Sequence, residues 1–199
     1  MKKPTHVEYN VDNQTSILWI EGKPKEYYMR GGICWPMTVE RGGVQDVFGH
    51  AVMAGFDIKT GEIRVFEERE WVVVHSILNK DHHIEFEGLA PWLRKLWSEY
   101  FALDFFWHQS KVLTKSYRLE VFRSDVIQPK PSFTHIDWSD DEAALHTLWK
   151  HVKLKTLITE RPSAELLRER KYGEKQILPA IHALQCLVEG LERYPYRGG

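Results

Sequence analysis

Two apolar runs near the start of the chain, Ile17 to Ile20 and Tyr27 to Trp35, are punctuated by Gly22, Pro24 and Pro36 and predict strands. A hairpin follows: His50 to Ile58 and Glu62 to Glu67 flank Lys59-Thr60-Gly61, where a glycine at the end of a short loop supplies the positive φ that such a turn requires. Trp71 to Leu78, opening Trp-Val-Val-Val, predicts a strand buried on both faces. After Gly88 the period changes. Leu89, Trp92, Leu93, Leu96, Trp97 and Tyr100 recur at steps of three and four, with Pro91 suited to a first turn, so an amphipathic helix is expected. Leu103 to Trp107 and Tyr117 to Phe122 are further candidate strands. Ser139 and Glu142 spell a capping box ahead of Ala144, Leu145, Leu148, Trp149 and Val152, and the run Asp140 to Glu142 complements the dipole of the helix that should start there. A polar helix is predicted from Pro162 and Ser163 through Lys171. A last one carries Ile177, Ile181, Leu184, Val188 and Leu191 on one face, turned toward the sheet.

This order of elements predicts an α/β fold with a mixed central sheet and flanking helices. At 199 residues a single domain over 1–199 is the default, with 1–25 as an N-terminal extension and an extended seam at 125–135 around Gln128-Pro129-Lys130-Pro131. A content of 43% hydrophobic and 28% charged residues argues against wholesale disorder. Lys and Arg number 27 against 28 Asp and Glu, so nucleic-acid contact would need a local basic patch. Two cysteines without a Cys-x-x-Cys pair suit a reducing compartment, and no run approaches the ~20 apolar residues that span a bilayer. A cytoplasmic protein without a membrane partner is therefore expected.

The phosphate-binding loop, the nucleophile elbow and the His-Glu-x-x-His helix do not occur in the chain, which leaves no ATPase motor, esterase or zinc protease signature. His82 and His83 fall in a polar stretch and read as solvated loop residues. Trp92, Trp97 and Trp149 fall on apolar helix faces and read as core, and Arg161 to Lys175, basic but with three glutamates, reads as a solvated helix with local ion pairs.

One longer pattern is more specific. The segment GGICWPMTVERGGVQDVFGHAVMAGFDIKTGEIRVFEER, then a helix, then LDFFWHQS, and finally ILPAIHALQCLVEGL, resembles the RNase H-like nuclease domain of phage terminase large subunits over about residues 30–192. The resemblance implies an RNase H-like fold in which a first strand, a middle strand and a closing helix each bring an acid to a two-metal site. It also implies DNA as partner, and a packaging ATPase or other phage protein supplied by another chain.

The acids are replaced. Cys34 stands at the first-strand position, His108 or Gln109 at the middle-strand position and His182 in the closing helix. Two Mg²⁺ or Mn²⁺ ions ~4 Å apart are hard cations that need oxygen ligands, so these substitutions imply an impaired nuclease acting in DNA packaging or nucleic-acid binding. Three alternatives stay open. Other acids near strand ends, Asp57 and Asp104 above all, with Asp46 and Glu62, could form an active metal-dependent DNA endonuclease. Cys34, His108, His182 and Cys186, the last one helical turn from His182, could hold Zn²⁺. The chain could also be a structural or protein-interaction module that keeps only the fold.

Overall fold

A computed structural model of the chain describes residues 3–41, 44–72, 89–108, 131–137, 141–166 and 179–197. Strands β1 (His6–Asn10), β2 (Thr15–Ile20), β3 (Lys23–Arg41), β4 (Val44–Asp57) and β5 (Ile63–Val72) come first. Helix α1 (Leu89–Tyr100), strands β6 (Asp104–Trp107) and β7 (Ser132–His135), helix α2 (Asp141–Lys153), strand β8 (Leu157–Ile158) and helices α3 (Ser163–Leu166) and α4 (Pro179–Arg193) follow.

These strands make one mixed, mostly antiparallel sheet, so the α/β class read from the sequence holds. β3, β4 and β5 form an antiparallel meander. The hairpin between β4 and β5 closes as its turn chemistry predicts: Gly61 has φ +74° and donates its N–H to the Asp57 carbonyl at 2.8 Å. β3 is long enough to share one edge between two neighbours. Its first residues pair antiparallel with β2, whereas Gly31 to Ile33 pair parallel with Phe105 to Trp107 of β6. β7 then adds parallel to β6, and β8 adds parallel to β5.

Alternation along β3 and β4 divides the core. Met29, Ile33, Trp35, Ala51 and Met53 face α1 through Trp92, Leu93, Leu96 and Tyr100. Cys34, Val52 and Ala54, with Phe106, face α2 and α4 through Leu145, Leu148, Ala183, Leu184 and Leu187. α4 lies directly against β3: a Cβ on Gly32 would collide with the Ala183 carbonyl oxygen and stand 2.7 Å from the Leu187 amide nitrogen.

Within the stretch 1–25, β1 and β2 extend the sheet and Ser16 Oγ donates to the Tyr100 carbonyl at the end of α1, at 2.6 Å. Of the stretch 125–135, the described residues from Pro131 onward hold β7, which begins directly after that proline. The structure corrects two expectations. The strand read as ending at Trp35 continues to Arg41, with a register shift between Cys34 and Met37 where Pro36 offers no N–H to the ladder. Finally, α4 is buried from Pro179 to Leu191 on every side, His182, Gln185 and Glu189 included, and so is a core helix, not an amphipathic one. Trp92 is buried as expected, while Trp97 keeps 37% of its surface exposed. The predicted strand at 117–122, the end of the strand predicted to reach Leu78, His82, His83, Ser139 and the helix expected up to Lys171 lie wholly or partly outside the described residues.

Candidate site at the carboxyl ends of the parallel strands

In open α/β sheets ligands collect outside the carboxyl ends of parallel strands, where strand direction switches. Here that place is set by β3, which runs parallel to β6 on one side and antiparallel to β4 on the other. Cys34 follows Ile33, whose register partner is Trp107; His108 follows Trp107, and His135 ends β7.

α4 brings His182 and Cys186 to the same end. The His108 and His182 rings lie 6.0 Å apart between centroids, and the His108 and His135 rings stack at 6.2 Å with planes 9° apart. Nδ1 of His108 is 2.9 Å from the Ile136 carbonyl oxygen, which anchors the ring to the end of β7. The thiol of Cys186 lies close to the Cys34 thiol and to the backbone of His108. The four residues singled out from the sequence, Cys34, His108, His182 and Cys186, are therefore neighbours. His135 joins them, although its position before Ile136 in a short strand after prolines carries no spacing signal that would have found it.

The chemistry of this cluster is soft; its two thiols and His182 are buried, while His108 is half-buried and His135 exposed. Burial pushes the Cys34 thiol far above its usual range; burial also raises the Cys186 thiol, the neighbouring Cys34 adds to the rise, and the His108 backbone hydrogen bond opposes it. A metal bound here would have to displace both thiol protons, because its ligands are thiolates. Among the described residues no group of three His, Cys, Asp or Glu side chains could hold a metal ion. The donor set also does not fit Mg²⁺ or Mn²⁺, since imidazole and thiol replace the carboxylates those ions require. The thiols should be inert: in a thiol-disulfide titration at pH 8 the native protein is expected to release no chromophore over minutes, and the denatured chain to react at both cysteines. Rapid reaction of the native protein would show that this end of the sheet is open.

The acids proposed for an intact nuclease site lie elsewhere. Asp57, buried, accepts from the amides of Lys59 at 2.9 Å and Thr60 at 3.2 Å and stands 3.8 Å from Lys25 Nζ, so it organises the hairpin turn. Asp104, at the amino end of β6, pairs with Arg30 at 3.1 Å. Register puts Asp57 beside Tyr27, on the α1 face, and Asp104 beside Arg30, on the opposite face. The two carboxylates are not assembled into one site, and both are at the end of the sheet away from Cys34. Glu62 is taken by Arg64 at 2.8 Å, and Asp46 stands opposite Val39 in the ladder.

A second polar group borders the cluster. His50, the register partner of Cys34, has Nε2 3.2 Å from Glu68 Oε2, which also accepts from Arg161 Nε at 2.9 Å and is 2.8 Å from an Arg161 terminal nitrogen. Arg161 therefore reaches back to the sheet, a correction to its reading as part of a solvated helix with local pairs. Nothing in the local sequence signals this contact, because Arg161 and His50 are 111 residues apart. Comparison of the chain with protein-family models, with curated proteins and with solved structures returns no match.

Proposed function

We propose that the chain is a divergent RNase H-like domain, related to the nuclease domain of phage terminase large subunits, that has lost two-metal cleavage and serves DNA packaging or nucleic-acid binding. What carries this reading is the meeting of Cys34, His108 and the α4 residues His182 and Cys186 at one end of the sheet. These stand at the three places where the resemblance calls for acids, on a first core strand, a middle strand and a closing helix. The antiparallel meander followed by a helix and two parallel strands supports it further. Cleavage is lost in this reading because thiol and imidazole stand where oxygen ligands would clamp the attacking and leaving oxygens of a phosphodiester. A motor for packaging would come from another chain.

Incubation of the full chain with plasmid and linear DNA in Mg²⁺ or Mn²⁺ is expected to give no nicking or cutting, while duplex DNA is retarded in a gel at low salt and released as salt rises. Cleavage abolished by Asp57→Ala or Asp104→Ala would overturn the reading in favour of an active endonuclease. Neither cleavage nor binding would leave the structural or interaction module, a reading favoured by one observation: both cysteines of the cluster are buried out of reach of a ligand. Among the described residues no helix is long and apolar enough to cross a membrane.

A further inference from the structure

The geometry points to a nucleotide-binding cleft at the other end of the sheet, formed where the β1–β2 turn meets the segment that follows α4. The cleft has a volume of about 350 Å³, within the range of small-ligand sites. It is separate from the His and Cys cluster, since Tyr28 in its wall precedes Cys34 by six positions on β3, roughly 20 Å at a strand's rise. The inference needs neither the fold family nor the chemistry of that cluster.

Aromatic rings make its apolar part. Tyr194 prolongs α4, its N–H donating to the Gly190 carbonyl at 2.8 Å, and its ring stacks on Phe106 with planes 14° apart. That anchors the ring to the core, yet 49% of the residue stays exposed. Tyr196 lies 5.3 Å from Tyr28, ring centroid to ring centroid. The Arg30 guanidinium, itself paired with Asp104, covers Tyr28 at 3.8 Å and fixes it in place. Rings rigidly held at a surface are platforms for a planar, polarisable group, and base stacking on such rings contributes about 1–3 kcal/mol per base.

The polar part comes from the turn. Glu26 Oε1 accepts from Asn10, Asn13 and Thr15, at 3.3, 3.2 and 2.5 Å, so the turn is preorganised. Gln14 is held at φ 53°, a left-handed conformation that a non-glycine residue adopts at a cost of about 1 kcal/mol, and strain of this kind gathers at ligand clamps. Asp12 and Gln14 line the cleft with a carboxylate and an amide, suited to ribose hydroxyls and a base edge, and Arg197 brings a cation for a phosphate. A planar base, a sugar and one anionic group are together the chemistry of a nucleotide, either free or at the end of a single strand.

Calorimetric titration of the full chain with adenosine 5′-monophosphate, a six-nucleotide single-stranded DNA and inorganic phosphate tests this. Adenosine monophosphate or the oligonucleotide is expected to bind below millimolar and phosphate alone not to bind. A Kd at least tenfold lower for the oligonucleotide identifies a strand as the source, and a smaller difference identifies the free nucleotide. Tyr194→Ala and Arg197→Ala, both exposed and checked for unchanged melting, should each weaken binding fivefold or more, whereas Lys153→Ala, exposed at the end of α2, should leave it unchanged. No binding of either nucleotide probe, or a loss below fivefold in both cleft variants, would overturn the inference. Duplex retardation that survives both variants would leave the RNase H-like reading standing without it.

Discussion

Gly32→Ala is expected to destabilise the protein by about 3 kcal/mol, at the upper end of what overpacking a core usually costs, and to lower Tm by roughly 6–12 °C for a chain of this size. The reason is that the added methyl would meet backbone rather than a movable side chain: the Ala183 carbonyl oxygen and the Leu187 amide nitrogen, with Leu187 Cβ at 2.9 Å. Either α4 moves away from the sheet, loosening Leu184, Leu187, Val188 and Leu191, or β3 bends and its ladder to β4 and β6 weakens. Gly22→Ala is the control, since Gly22 also needs care at φ +74° but a Cβ there would meet nothing within 4 Å. It should cost only about 1–2 kcal/mol of left-handed strain. Urea denaturation showing less than 1 kcal/mol for Gly32→Ala would mean that α4 is not seated on β3 as described.

Glu68→Gln should cost about 2 kcal/mol at pH 7, the scale of hydrogen bonds to a charged group that is largely buried. One Glu68 oxygen joins His50 on β4 to Arg161 beyond β8, and the side chain is only 24% exposed. The loss has a pH signature. Burial by itself raises the Glu68 pKa, but the His50 hydrogen bond and the Arg161 charge outweigh it and hold the carboxyl below its usual value of 4.5. A folded pKa below the unfolded one means that the stabilisation is complete above about pH 4.5 and disappears as pH falls through the lowered folded value. Denaturation at pH 7, 5 and 3 should therefore show the wild type losing its advantage over Glu68→Gln only between the two lower values. A constant gap at all three would show that the carboxylate's charge is not what holds Arg161.

Features of the chain that depend on neighbours in sequence were legible. The hairpin at Lys59 to Gly61, the period of α1 and the strand at Tyr27 to Trp35 follow from turn chemistry and from side-chain spacing, which act over a few residues. β1 was not legible, because His-Val-Glu-Tyr-Asn is a polar edge strand whose partner, β2, supplies most of the evidence for it. β7 was hidden by the prolines before it and exists through its pairing with β6. The meeting of Cys34 with Cys186 was an expectation that required the fold resemblance, since no spacing rule links a strand residue to one so far along the chain. His135 entered the cluster without any such prompt.

What the sequence determined by itself was where strands, turns and helices form, for those preferences reside in φ/ψ sterics, in glycine and proline, and in apolar periodicity. It also determined which residue types were present to do chemistry: thiols and imidazoles at Cys34, His108, His182 and Cys186 in place of carboxylates. Only the tertiary structure decided which of them share an environment. That choice depends on burying both faces of one sheet: α4 can approach β3 because Gly32 has no side chain, and this approach encloses Cys34 and Cys186, keeping their thiols protonated. The same packing separates Asp57 from Asp104 by turning one to each face, and draws Arg161 to Glu68 across more than ninety residues. Contacts of that range are selected by the free energy of the whole core, a quantity that no window of sequence contains.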